Sequence, residues 1–413
     1  MSDRPQLSHQ REGVERGESV LRCGNCRHRT DRPNGRRDPP ANAQGWRERA
    51  RAFALRRVGP MAEGIDRNDR VPEEIVQGLA EEGFLGLGIP PAWDGTGADT
   101  RSTVAVLEEL SRASAAVGVL VAVHLSVCAA PILTWGTDGQ REQFLRPLAR
   151  GERIGAFGLT EPNAGSDTAS LATRYVREAD GFRLNGTKTF ISNAVSAGVV
   201  LIFATSDPTR GHKGISAFIV PPGTPGFSVA QRLDKLGLRG SETTELVLTD
   251  VRLPPSSLLG AEGDGLRVAL GALQGGRVGI ASCALGVAEA AFAEMLGAVR
   301  ADDAEWKRTI LARSYADLCS ARALVARAAE AKDAGADYVN DASVAKLVAS
   351  RAAVQIAGAG VDVAGPRGVR SGAAAERLLR DARVFPIVEG TTEIQELILA
   401  RSLLPNPPGR NPL

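Results

Sequence analysis

Near its C-terminus the chain reads IVEGTTEIQ, Ile387 to Gln395, with one carboxylate placed between an apolar approach and a glycine. Thr392-x-x-Gln395 has the form of a capping box, and Ile394, Leu397 and Ile398 continue an apolar stripe. That spacing predicts a helix from about Thr392. Glu389 falls just before it, beside a partly positive helix N-terminus. Two readings stand open. Glu389 compensates the helix dipole, or it is a partly buried carboxylate whose raised pKa suits it to accept a proton. Gly390 lets another group approach the backbone closely.

Two further stretches carry chemistry-bearing residues. GLTEPNAGSD (Gly158 to Asp167) is a turn in which Gly165 and successive N–H groups can converge on an anion, with Thr160 and Ser166 as hydroxyl donors. NGTKTFISNA (Asn185 to Ala194) puts Phe190 two residues before Ser192 on one strand, so that a planar ring could be pressed and bonded at its edge. Pattern alone equally allows an ordinary loop and a strand with one core Phe. The histidines are scattered: His9 and His28 lie near the N-terminus, His124 in an apolar helix and His212 in a turn. No GxSxG, HExxH or Walker pattern occurs, so a serine-hydrolase or metal mechanism has no support.

These residues need a frame. At 413 residues, 43% hydrophobic and 24% charged, the chain has room for two or three domains with real cores. A net charge of +2 excludes a strongly basic nucleic-acid binder. Five scattered cysteines point to a reducing, cytoplasmic setting, and no run of about 18–20 consecutive apolar residues points to a membrane span. Residues 1–42 are rich in Arg, Pro and Gly and read as a disordered basic tail. Cys23-x-x-Cys26 with His28 offers half of a zinc site, and no second ligand pair follows. Residues 43–153 have helical periodicity, with Ile75, Leu79 and Phe84 on one face. Residues 154–264 have strand grammar. Asp180-Gly181 and Asn185-Gly186 signal hairpin turns, which predicts an antiparallel β-domain. Residues 265–405 return to long Gly- and Ala-rich helices suited to an up-down bundle, and 406–413 form a short tail. The fold class is α+β, helices then sheet then helices, unlike an alternating βαβ chain.

Taken together, GLTEPNAGSD, NGTKTFISNA, LGLRGSETTELVLTDVRLP and LRDARVFPIVEGTTEIQ resemble four signatures of the acyl-CoA dehydrogenase family, in order, over about residues 43–405. The resemblance implies an N-terminal helical domain, a central β-domain, a C-terminal four-helix bundle and FAD between the last two. It implies flavin contacts by Phe157, Leu159, Thr160, Gly165 and Ser166, a ring neighbour in Phe190 and an edge hydrogen bond from Ser192. Thr391 and Glu393 match further FAD contacts, and Ser166, Gln274, Arg277 and Gly390 match substrate contacts. Glu389 matches the catalytic base that abstracts the α-proton of an acyl thioester while flavin N5 accepts the β-hydride. Relatives that carry the base before the bundle Arg match Gly276 here, which cannot serve. Acyl-CoA as substrate, electron-transfer flavoprotein or oxygen as acceptor, and a homotetramer or homodimer follow from the same resemblance.

The chain departs from the family pattern in three places. VRADDAEWKRT stands where Arg-x-x-Phe-Gly would reach a neighbour's FAD. Asp362 to Gly368, with Gly365 and Gly368 kept, replaces Gln-x-x-Gly-Gly-x-Gly, and Gln274 replaces an Asp or Asn. These departures leave two alternatives: a dehydrogenase of acyl, aminoacyl or hydroxyacyl groups on an acyl carrier protein, and a flavin-poor, non-catalytic relative.

Overall fold

The computed structural model describes residues 38–404. The Cys23, Cys26 and His28 half-site lies outside them. Helices α1 (Ala43–Phe53), α2 (Ala62–Arg67), α3 (Glu73–Glu81), α4 (Thr100–Ala113), α5 (Ala115–Val123), α6 (Ala130–Trp135), α7 (Asp138–Gln140) and α8 (Arg146–Arg150) come first. Asn42 and Asp99 cap α1 and α4 with their side chains on Gly45 N and Ser102 N, which fits their strong N-cap preference. Ile75 and Leu79 of α3, and Phe84 after it, are buried as their spacing implies.

Eight strands follow: β1 (Ile154–Gly158), β2 (Arg174–Glu178), β3 (Gly181–Ser192), β4 (Ala197–Thr205), β5 (Ile215–Val220), β6 (Phe227–Arg232), β7 (Thr243–Leu253) and β8 (Leu258–Leu259). The sheet order is β6-β7-β3-β2-β4-β5-β8, with β1 paired to β4. It is mixed rather than wholly antiparallel, because β1 runs parallel to β4. Local turn signals cannot register that pairing, since the partners are far apart in sequence. Asp180-Gly181 does make the β2–β3 turn. Asn185-Gly186 does not turn; both residues lie inside β3. There the Asn185 amide bonds Asp250, and a Cβ at Gly186 would meet Thr173 at 2.4 Å, so the glycine serves close strand approach. Alternate β4 residues face two cores. Val199, Leu201 and Phe203 pack against the helices, and Val200, Ile202 and Ala204 against Phe182 and Phe218.

The chain closes with α9 (Gly265–Ala298), α10 (Glu305–Asp333), α11 (Val339–Ala364), α12 (Ala374–Ala382) and α13 (Thr392–Leu403). Their core merges with that of the N-terminal helices, joining Leu107 and Val121 to Ile280, Leu285, Ile356 and Phe385. One expectation needs correcting: Ala115–Trp135, Gly265–Ala298 and Val339–Arg367 are long and apolar enough to cross a membrane. The most apolar of them, Ala115–Trp135, is 83% buried inside the protein, so its apolar surface already has partners.

Candidate active site

Glu389 sits in a turn that the preceding residues force. After α12 the chain makes single turns from Val384 N to Asp381 O and from Ile387 N to Val384 O, with the Phe385 ring fully buried. The backbone then enters the left-handed region at Glu389 (φ 53°) and at Gly390 (φ 94°). A non-glycine residue there is strained, and such strain concentrates at functional sites. An added Cβ at Gly390 would also meet Gln395 Nε2 at 2.6 Å.

The helix begins at Thr392 as the spacing predicts, but its cap is not the one the capping-box reading gives. Thr391, not Thr392, is the N-cap, with its hydroxyl accepting from Ile394 N. Thr392 N–H instead donates to Pro386 O at 2.8 Å. Gln395 turns its amide back to Gly390 O at 3.0 Å rather than to the cap backbone.

Glu389 as a residue is half-buried, yet both carboxylate oxygens are sealed from solvent and have no hydrogen-bond partner. They press against α9: a Cβ at Gly276 would lie 1.8 Å from Glu389 Oε2. Gly276 therefore does more than lack a side chain that could act as base; it makes the space that the Glu389 carboxylate occupies. Burial pushes the Glu389 carboxyl up to about 7, against the pull of the Lys346 and Arg277 cations. Arg277, next on α9, is itself buried with Nε unpartnered, and burial lowers its pKa despite Glu389. Gln274 is half-buried one turn earlier. Behind Gly275 stand the Lys332 ammonium and the Tyr338 hydroxyl, 3.4 and 4.0 Å from where a Cβ would be.

A second group of the expected residues lies at the end of β1. Phe157 meets Phe203 edge-on at 4.9 Å, Leu159 is buried, Thr160 is half-buried, and Gly165 and Ser166 are exposed on the loop rim. A buried ion pair builds this loop. Lys188 Nζ lies 2.6 Å from Glu161 Oε1 and donates to Leu159 O at 3.1 Å, while Glu161 accepts from Ala172 N and Thr173 N. Burial would raise the Glu161 pKa, but Lys188 holds it below the ordinary carboxylate range. Lys188→Met leaves Glu161 buried without its cation, at a cost of about 3–5 kcal/mol. A urea unfolding midpoint unchanged from the parent would contradict that.

Beyond the pair, β3 slips register between Lys188 and Ile191. Phe190, at the bulge, has φ 57° and is 66% exposed. The bulge breaks the simple two-residue alternation with half-buried Ser192 and re-aims the ring outward. A large ring standing free beside a polar, glycine-containing loop suits stacking of a flat heteroaromatic group, so these residues fit a flavin.

The remaining sequence-predicted residues are placed less centrally. Thr391 spends its hydroxyl on the cap and Glu393 is exposed in the first turn of α13. Gly365 ends α11 at φ 59°, ψ −137°, and a Cβ at Gly368 would strike Ala364 Cβ at 2.8 Å, so both glycines have backbone reasons of their own. The departing VRADDAEWKRT segment is a turn closed on itself, Arg300 N donating to Asp303 at 2.6 Å. Sequence reasoning passed over Lys346, Lys332, Tyr338 and the Lys188–Glu161 pair. The signal for Lys346 was a lone lysine within the small and apolar run SVAKLVAS.

The family models for the acyl-CoA dehydrogenase N-terminal, middle and C-terminal domains match residues 40–152, 156–251 and 263–404. A short-chain specific acyl-CoA dehydrogenase of Clostridium acetobutylicum is 41% identical over 86% of this chain and 96% of its own. Among solved structures, butyryl-CoA dehydrogenase from Megasphaera elsdenii superposes with a TM-score of 0.86 at 35% identity, covering 89% of this chain and 99% of that one. A prolyl acyl carrier protein oxidase superposes with a TM-score of 0.84 at 28% identity, over 88% and 98%. With three matching domains in order and a carboxylate poised on the last bundle turn, the chain belongs to the acyl-CoA dehydrogenase family.

Proposed function

We propose that this protein is an FAD-dependent dehydrogenase that converts a short acyl-CoA to its α,β-unsaturated thioester, with Glu389 as the base at Cα. One observation carries this reading: a buried carboxylate on a left-handed backbone with neither oxygen engaged. A thioester α-hydrogen is weakly acidic, so its removal needs a base of raised pKa already in place. The short chain follows the substrates named for the Clostridium and Megasphaera relatives.

In this reading Phe157, Leu159, Thr160, Gly165 and Ser166 hold the FAD with Thr391 and Glu393, while Phe190 covers its ring and Ser192 bonds its edge. Gly365 and Gly368 shape a contact to a neighbouring subunit's cofactor. Bound FAD supplies the two-electron acceptor for the hydrogen lost from Cβ. Gln274, Arg277 and Ser166 orient the thioester, and the Gly390 turn presents Glu389 to it. Electron-transfer flavoprotein is the onward acceptor. Large apolar side chains exposed on the bundle, among them Leu296, Trp306 and Leu397, support a homotetramer or homodimer. Free Cys128, Cys283 and Cys319 suit the cytoplasm.

The base must be ionised, so kcat/KM rises with pH through the Glu389 pKa, with the limb near 7. A limb near the ordinary glutamate value of about 4.3 would contradict the burial argument. Anaerobic mixing with a panel of CoA and carrier-protein thioesters tests the function, because the flavin absorbance bleaches on reduction. Bleaching fastest with four-carbon CoA thioesters is expected, and none with any CoA thioester overturns the reading. Gln274 and the carrier-protein oxidase relative favour a second reading, a carrier-bound substrate with oxygen as acceptor. Faster bleaching by the carrier form would select it.

A further inference from the structure

Lys346 lies on α11 and is 0% exposed. A buried ammonium is costly unless it is bonded, and this one donates to Gly390 O at 2.7 Å. The same carbonyl accepts from buried Gln395 Nε2 at 3.0 Å, so both of its lone pairs are used. Gly390 follows Glu389 directly, and both residues have positive φ. The two donors therefore clamp a strained turn at its pivot.

The ammonium is close enough to Glu389 to act on it electrostatically, but neither Glu389 oxygen receives a hydrogen bond. That arrangement is unusual. A lysine beside a buried carboxylate would normally bond it, fix it as an anion and blunt its basicity. Here the lysine is committed to a backbone carbonyl, and the carboxylate keeps its lone pairs.

We propose that Lys346 is a positioning residue for the reaction. Its ammonium, tied to the Gly390 carbonyl, holds the Glu389 turn in its left-handed geometry and places positive charge beside the carboxylate without occupying either oxygen. The proposal rests on Glu389 being the base. The charged groups acting on Lys346 are Glu389 from the turn, Arg277 from α9 and Glu393 from α13. Burial depresses the Lys346 pKa only to about 8, so it stays largely cationic at neutral pH.

Three variants test this in the FAD-loaded enzyme: Lys346→Met, Lys346→Gln and Lys346→Arg. Removing the cation makes Glu389 harder to ionise, so in Lys346→Met the rising limb moves up by about 1–2 pH units. Its kcat falls about 10²-fold through loss of the clamp, with FAD content and KM unchanged. Lys346→Gln keeps a donor for Gly390 and recovers part of kcat, but its limb stays displaced. Lys346→Arg keeps both donor and charge, so its limb returns to that of the parent.

A folded Lys346→Met or Lys346→Gln whose pH profile superimposes on the parent's overturns the proposal. Loss of FAD and of the folded state in both makes Lys346 a structural residue and overturns it equally. Glu389→Gln run alongside separates the two claims. Parent-like turnover there defeats the assignment of Glu389, whereas an inactive Glu389→Gln with a parent-like Lys346→Met defeats only the role of Lys346.

Discussion

Glu389→Gln lowers the rate of flavin reduction by acyl-CoA about 10⁴-fold while FAD stays bound and the melting temperature holds or rises. The amide is nearly isosteric with the carboxylate, so the packing against Gly276 survives, but its lone pairs are too weakly basic to take a proton. The stability expectation follows from burial. Glu389 has a folded-state pKa raised to about 7, above the unfolded value, so ionising it in the fold at higher pH costs stability. Replacing it with a neutral amide removes that cost above the folded pKa and changes little well below the unfolded one. Stopped-flow absorbance at 450 nm with parallel thermal melts reads both quantities. A variant that retains a tenth or more of the parent rate would contradict the assignment.

Gly276→Ala is the second large effect, and it replaces no residue that takes part in the chemistry. The new methyl would sit 1.8 Å from Glu389 Oε2 and 2.8 Å from Cδ. Real Cβ contacts do not approach so closely, so the carboxylate moves by about 1 Å or more, and a misplacement of that size costs about 10²-fold in rate. The obstructing atoms are the far end of a flexible side chain, so the fold itself yields at little expense. Alanine is also the better helix former, by about 0.8–1 kcal/mol. The expected signature is therefore a protein as stable as the parent, binding FAD as well, with a collapsed kcat. Gly297→Ala, on the same helix with open space around it, is the control and keeps full activity. Equal rates for Gly276→Ala and Gly297→Ala would show that the Glu389 carboxylate does not rest against α9.

What the sequence discloses of this molecule divides along a physical line. Local rules are readable. The periodicity of Ile75, Leu79 and Phe84, the Asp180-Gly181 turn, and the placing of Glu389 outside a helix all depend on neighbours a few residues away. Rules that join distant segments are not. The parallel β1–β4 pairing, the bulge that turns Phe190 outward and the in-strand use of Asn185-Gly186 are set by partners elsewhere in the chain. The cap falls on Thr391 rather than Thr392, whose N–H goes to the distant Pro386 O.

The site divides in the same way. Glu389 stands out because an acid after an apolar run and before a glycine is locally odd, but only the family resemblance implies a base there rather than a helix-dipole charge. The contact between Gly276 and Glu389 was not, because it spans two helices and shows itself only as the absence of a side chain. Lys346 was legible in principle, as a lysine in a buried helical run, yet nothing local reveals that its partner is a carbonyl on a turn beyond α12.

The central claim is that Glu389 takes the α-proton, and it can be measured apart from the redox step. An acyl-CoA analogue with sulfur in place of the β-carbon cannot lose hydrogen there, but its α-hydrogens remain acidic. In deuterated buffer at pH 8, the FAD-loaded parent enzyme is predicted to exchange those hydrogens for deuterium, followed by proton NMR. Glu389→Gln is predicted to exchange them about 10³-fold more slowly. Equal exchange by the two proteins would contradict the account.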